Sequence, residues 1–135
     1  MDRTRRRRYS AMRRAHRLEA AEDNTELIAD LIAECGEART GEIASRMGIS
    51  HVTALRTIQR LQREGFVSTS RHQPIALTAK GRKTASFAQR RHRLLVRFFE
   101  LIGVPRETAE VDAEGAEHHI SAVTLDRIAQ FVKKI

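Results

Sequence analysis

A chain of 135 residues with 41% hydrophobic side chains is long enough for one ordinary domain or two small ones, and its formal net charge of +8 suggests a polyanionic partner. That total is segmented: eight Arg against Asp2 and Glu19 over residues 1–21, six acids and no base over 22–38, thirteen bases against Glu42 and Glu64 over 39–97, and four bases against seven acids over 98–135. Cys35 is the single cysteine, which excludes an intrachain disulfide; no apolar run approaches the roughly 18 residues of a membrane span, and the basic start lacks a signal-peptide apolar segment, so a cytoplasmic protein without a membrane partner is expected.

Taken in chain order, residues 1–21 contain Arg5-Arg6-Arg7-Arg8 and few apolar side chains, so they are expected to form a basic, disordered arm. Leu27, Ile28, Leu31 and Ile32 recur at helical spacing up to Gly36 and predict a helix over about 22–35. Two short helical patterns follow on either side of Met47-Gly48-Ile49-Ser50, with Gly48 as the tight corner and Ser50 as the cap of the second helix. Val52, Leu55, Ile58 and Leu61 are expected to face inward, which makes the pair a helix-turn-helix. The β-compatible runs 66–69 and 75–77 then read as a hairpin wing. A long helix is predicted from Thr78 to about Ile102, a further one from Pro105 to about His119, and a last one capped by Ser121 with Leu125, Ile128, Ala129 and Val132 as its stripe. The fold class is therefore mainly α: a winged helix-turn-helix over 22–85, followed by a helical domain over 86–135, for which the acids and a family resemblance suggest metal binding and dimerisation. Val104, Val111, Ala113 and Ala116, with Leu125, Ile128 and Val132, are expected to offer more apolar surface than one small domain covers, which suits a homodimer.

A recognition helix presents its first turns to base edges in the major groove while surrounding bases hold phosphates. Ser50, His51, Thr53 and Arg56 are accordingly assigned to base edges or nearby phosphates of double-stranded DNA, and Arg39, Arg46 and Arg60 to the backbone. Arg71 and His72 at the wing tip can reach a minor groove or a phosphate. The bland alternative is that these arginines are merely solvated, and tri-helical cores with a glycine corner also occur in proteins that bind no DNA.

A second chemistry lies in the acids. At about 100° per residue, Glu114, Glu117 and His118 share one helix face, Asp23 and Glu26 repeat the i, i+3 arrangement, and His92 stands on the helix between. Oxygen-rich sets with one or two imidazoles suit divalent ions of intermediate hardness. Each also has an ordinary reading: Asp23 and Glu26 as a capping box, Glu114, Glu117, His118 and His119 as solvated surface groups, His92 as a hydrogen-bonded histidine.

From Glu22 to Ile135 the chain resembles the diphtheria-toxin-repressor family of metal-dependent transcriptional regulators, in its manganese transport regulator branch. The residues that carry the likeness are Glu22-Asp23-x-x-Glu26, Gly36-Glu37-Ala38-Arg39, Leu77-Thr78-Ala79-Lys80-Gly81, Arg91-His92 and the run from Asp112 to Ser121. The resemblance implies Asp23, Glu26, His92, Glu114, Glu117 and His118 as metal ligands, in a two-ion cluster with bridging carboxylates. Iron-responsive relatives place sulfur where this chain has Asp23 and Glu114, so the resemblance implies Mn²⁺, with Fe²⁺ and other divalent ions left open. It also implies that the further C-terminal domain of many iron-responsive members is missing here.

The function expected is a homodimeric, Mn²⁺-activated regulator that binds a palindromic operator and represses metal-uptake genes. The rival is a winged-helix factor that answers to a non-metal ligand or a protein partner. A metal-dependent hydrolase is disfavoured because no nucleophile or phosphate-cradling loop is evident, and no organic substrate is expected.

Overall fold

The computed structural model describes residues 2–135, the side chains of 14–17 left aside. These residues divide into two compact units, 20–86 and 2–19 with 87–135. No helix among them is long and apolar enough to cross a membrane.

The first helix, α1, runs Arg3–Cys35. The disordered arm expected over 1–21 is thus corrected from Arg3 onward, while Met1 lies outside the described residues. Like charges oppose this helix, but Arg is among the better helix formers, and adding turns to an existing helix is far easier than nucleating one. The continuation also removes the capping-box reading of Asp23 and Glu26, because both stand in the helix interior, where no orphan N–H group needs a cap.

In unit 20–86, α2 (Thr40–Met47) and α3 (His51–Arg63) form the helix-turn-helix. Gly48 takes φ +68°, a left-handed conformation that side chains with a Cβ resist, and Ser50 Oγ accepts the Thr53 N–H at 3.1 Å. Ile28, Leu31, Ile43, Ile58 and Leu61 build the core together with Phe66, Val67 and Ile75. The inward face of α3 is the one expected only in part: Ile58 and Leu61 are buried, but Ala54 joins them in place of Val52 and Leu55. Ala54, Ile58 and Leu61 are buried within an arc of roughly 60°; Val52 and Leu55 are 57% and 41% exposed. Ala54 has no exposed surface, and a side chain no larger than a methyl group suits so close an approach.

The wing is antiparallel β1 (Val67–Ser68) and β2 (Ala76–Leu77), in register Val67 to Leu77 and Ser68 to Ala76. Ile75 pairs back to Ala38, tying the wing to the segment before α2. Helix α4 (Ala79–Leu101) begins at a tightly specified corner. The Thr78 hydroxyl donates to the Gly65 carbonyl at 2.6 Å and accepts the Gly81 N–H at 3.1 Å. That arrangement packs the Gly81 Cα against the Phe66 carbonyl, leaving no room for a Cβ.

In the other unit, α4 passes to α5 (Arg106–Ala116), then a 3₁₀ turn (Glu117–His119), then α6 (Ala122–Lys133). Ser121 caps α6 through the Thr124 N–H, as the sequence predicts. The core holds Leu95, Val96, Ala109, Ala113 and Leu125. Ala113 and Leu125, expected on an exposed apolar face, are therefore interior, while Val111, Val123, Ile102 and Phe131 are exposed.

Candidate metal centre and nucleic-acid interface

On α5, Ala109 and Ala113 are fully buried one turn apart, and their small side chains let α5 pack closely in this unit. Glu110, Glu114 and Glu117 follow at i, i+4 and i+7, on the adjoining stripe. On α4, His92 precedes the buried Leu95 and Val96 by three and four residues, so its ring lies on the inward face, with 18% of the side chain exposed. Packing of these two faces produces the cluster. His92 Nδ1 is 3.1 Å from Glu117 Oε2 and 3.4 Å from Glu114 Oε2, and one donor atom from each of these three residues lies within 4.8 Å of the others.

The 3₁₀ turn turns Glu117 and His118 inward: both are buried, and His118 Nε2 lies 3.3 Å from Glu117 Oε1. His119 is exposed and reaches the Glu19 carboxylate at 3.6 Å. Of the expected ligands, His92, Glu114 and Glu117 are brought together in this unit, and His118 adjoins them through Glu117. Asp23 and Glu26 belong to unit 20–86, partly buried on α1. Their i, i+3 spacing keeps them on one side of that helix.

Sequence reasoning missed two participants. Glu110 Oε2 is 2.6 Å from His92 Nε2, and Glu19 offers an oxygen within 4.8 Å of a His118 ring nitrogen. The Glu110, Glu114, Glu117 spacing would have revealed the first; nothing in the residue pattern marks Glu19.

Burial pushes the His92 imidazole down, but the Glu110 hydrogen bond and the charges of Glu117, Glu114 and Glu110 outweigh it, and the ring is held above the ordinary histidine value. Glu110 is held below the usual carboxylate range, first by the His92 hydrogen bond and further by Arg106. The donors are carboxylate oxygens and imidazole nitrogens with no sulfur, a set that fits a divalent ion of intermediate hardness. The clustered negative charge would also be relieved by a cation.

Of the candidate DNA contacts, Arg39, His51, Arg71 and His72 line a groove of about 910 Å³ between α3 and the wing, together with Leu55 and Gln59. Arg39 is paired with Glu37 at 2.9 Å and donates to the His72 carbonyl at 3.5 Å, linking the start of α2 to the wing tip. His72 itself sits at φ +65°, a strained turn position for a residue with a side chain. Arg46 pairs with Glu34 at 3.0 Å, a hydrogen bond and charge that raise its pKa further, and Arg60 stands 3.9 Å from Glu64. Such exposed pairs are worth little and exchange readily for phosphate. Arg56, Arg71 and His51 are exposed, with no ion pair among the described residues. Ser50 and Thr53 are exposed too, but the Ser50 hydroxyl donates to Thr53 Oγ1 at 2.9 Å, so both serve the cap.

Residues 78–135 match the family described as "Iron dependent repressor, metal binding and dimerisation domain". The chain is 40% identical over 126 residues to the Transcriptional regulator MntR of Escherichia coli O6:H1, covering 93% of this chain and 81% of that protein. It is 35% identical over 112 residues to the HTH-type transcriptional regulator MntR of Bacillus subtilis strain 168, covering 83% of this chain and 79% of that protein. A solved manganese-dependent transcriptional repressor in complex with manganese superposes with a TM-score of 0.75 at 30% identity, and the manganese regulator SloR with 0.72 at 26%. Each covers 84% of this chain, which in turn spans 52% and 53% of theirs, about half the length of these solved repressors.

Proposed function

The chain belongs to the diphtheria-toxin-repressor family of metal-dependent transcriptional regulators, in its manganese transport regulator branch, and on that premise we propose that it is a Mn²⁺-responsive repressor of metal-uptake genes that binds operator DNA as a homodimer. It is a regulator and not an enzyme. The observation that carries the metal half of this reading is the convergence of His92, Glu114 and Glu117 within 4.8 Å. Glu117, His118, His92 and Glu114 would hold the cation, and the expected number is two ions per subunit. Bound there, the cation supplies positive charge that offsets carboxylate repulsion and selects one posture of the helices that carry its ligands. Mn²⁺ suits this oxygen-rich set better than a thiophilic ion does, and Cys35, exposed at the end of α1, lies outside it.

In the DNA half, α3 enters the major groove, with His51 and Arg56 presented to base edges and Ser50 and Thr53 at its start. Arg39, Arg46 and Arg60 neutralise phosphates, and Arg71 with His72 extends the contact from the wing tip. Val52 and Leu55, exposed on the same helix, add apolar surface suited to a thymine methyl. The exposed Ile102, Val111, Val123 and Phe131 supply apolar area for the two-fold contact.

Calorimetric titration of the metal-free protein with Mn²⁺ tests this reading against a regulator that answers to a non-metal effector. Saturable binding abolished by Glu117→Gln is expected; no saturable heat at any Mn²⁺ concentration would refute it.

A further inference from the structure

Both nitrogens of the His92 ring face carboxylates, and they face different ones. Nε2 is 2.6 Å from Glu110 Oε2, while Nδ1 is 3.1 Å from Glu117 Oε2 and 3.4 Å from Glu114 Oε2. The two nitrogens of an imidazole point away from opposite edges of the ring. Glu110 therefore cannot bind the ion that Nδ1 would share with Glu114 and Glu117, and its part must be a different one.

Glu110 is itself held in place. Its Oε1 accepts from Arg106 Nε at 3.2 Å and lies 3.1 Å from Arg106 Nη2, and Nη1 of the same guanidinium reaches Glu100 Oε1 at 3.3 Å. Arg106 is one turn before Glu110 on α5, and Glu100 is in the last turn of α4. With one oxygen anchored to Arg106, the other is directed at His92. A neutral imidazole carries one proton, and the hydrogen bond made at one nitrogen decides which nitrogen keeps the lone pair. An ionised carboxylate only accepts, so the carboxylates on both sides of the ring compete for its one proton, and the 2.6 Å contact at Nε2, shorter than the 3.1 Å and 3.4 Å contacts at Nδ1, places the N–H towards Glu110.

The geometry points to Glu110 as a positioning residue that locks His92 in its Nε2–H tautomer and so presents the Nδ1 lone pair, beside Glu114 and Glu117, to a divalent cation. The inference rests on the metal-responsive reading above and adds the chain Glu100, Arg106, Glu110, His92 behind the ligands. Outer partners of this kind orient the ring and strengthen it as a donor. Glu110 is partly exposed on a helix, so replacing it leaves the core of the unit intact.

The test uses ¹⁵N-histidine-labelled, metal-free protein at alkaline pH, where the ring is neutral and long-range ¹H–¹⁵N spectra report which nitrogen of His92 is protonated. The wild type is expected to show Nε2–H, Glu110→Ala a mixture of tautomers, and Glu110→Gln, whose single side-chain oxygen is taken by Arg106 so that its NH2 group faces Nε2, a shift towards Nδ1–H. Calorimetry on the same proteins is expected to show Mn²⁺ affinity lower by about 10- to 100-fold in Glu110→Ala and no recovery in Glu110→Gln. An Nδ1–H wild type, or an unchanged tautomer in Glu110→Ala, overturns the assignment, even if Mn²⁺ binding weakens. Failure of the wild type to bind Mn²⁺ would instead overturn the parent reading, and the tautomer spectra would still judge Glu110.

Discussion

The fully buried carboxylate of Glu117 lies 3.1 Å from Nδ1 of His92, whose side chain is 18% exposed. A buried acid is costly unless it is matched by hydrogen bonds or positive charge, and here a second acid, Glu114, approaches the same nitrogen at 3.4 Å. The arrangement gains more from a cation than from the bare protein. In Glu117→Gln the charge is gone while the shape is kept. The metal-free variant should melt no lower than the wild type, and its Mn²⁺ affinity should fall by at least about 100-fold, beyond the loss typical of an outer partner. In thermal melts, Mn²⁺ at about 100 times its dissociation constant stabilises the wild type by about 2.7 kcal/mol. The variant should show no such shift, and an equal shift in both would remove Glu117 from the site.

The pH dependence has two opposite signs. His92 titrates above the ordinary histidine value. A group raised in the folded state contributes stability that is complete below its unfolded value and is lost as pH rises through the folded one. The metal-free protein thus loses the His92 contribution on moving from mildly acidic to mildly alkaline solution. The cation needs the deprotonated ring, so Mn²⁺ affinity changes the other way: it weakens as pH falls through the raised value, and binding releases a proton from His92. Calorimetry at stepped pH, in buffers of different ionisation enthalpy, reads both quantities. Constant affinity with no proton release between about pH 6 and 8 would contradict the liganding role of His92.

The burial of α3 separates two neighbouring residues. Ala54 is fully buried and Leu55 is 41% exposed. Ala54→Leu should overpack the core and cost about 1–3 kcal/mol in denaturant unfolding. Leu55→Ser should change stability by no more than about 0.5 kcal/mol, as expected of an exposed position, while altering operator affinity. The reverse ranking would restore Leu55 to the core.

Gly81 has no space for a Cβ, because the Phe66 carbonyl occupies that position. Gly81→Ala must push α4 away from the Phe66 carbonyl and disturb the Thr78 corner, at a cost of about 2 kcal/mol or more. Gly115, with nothing within 4 Å of a built Cβ and a helical backbone, provides the control. Gly115→Ala should be neutral or slightly stabilising. Chemical denaturation of the two variants checks the contrast.

What was legible in the sequence was local chemistry. Gly48 and Ser50 define the helix-turn-helix corner by backbone conformation and a cap, and Ser121 announces α6 in the same way. The Glu114, Glu117 and His118 run was legible as a set of donors, but the α-helix expected to about His119 ends at Ala116, and a 3₁₀ turn orients Glu117 and His118. The reach of α1 to Arg3 was not, since charge argued for disorder while helix propensity and continuation from a packed segment argued against it. The α3 face was misjudged because apolar spacing weights Val52 and Leu55 and overlooks an alanine, yet close packing chose Ala54. Glu110 escaped notice because its partner, His92, lies on another helix and only tertiary packing joins them.

The most direct measurement is operator affinity by fluorescence anisotropy for the wild type and Glu117→Gln, each with and without Mn²⁺ at fixed salt. The account predicts that Mn²⁺ tightens wild-type binding at least about tenfold, a coupling of about 1.4 kcal/mol, and leaves the variant unchanged. Equal wild-type affinity with and without Mn²⁺ would contradict it.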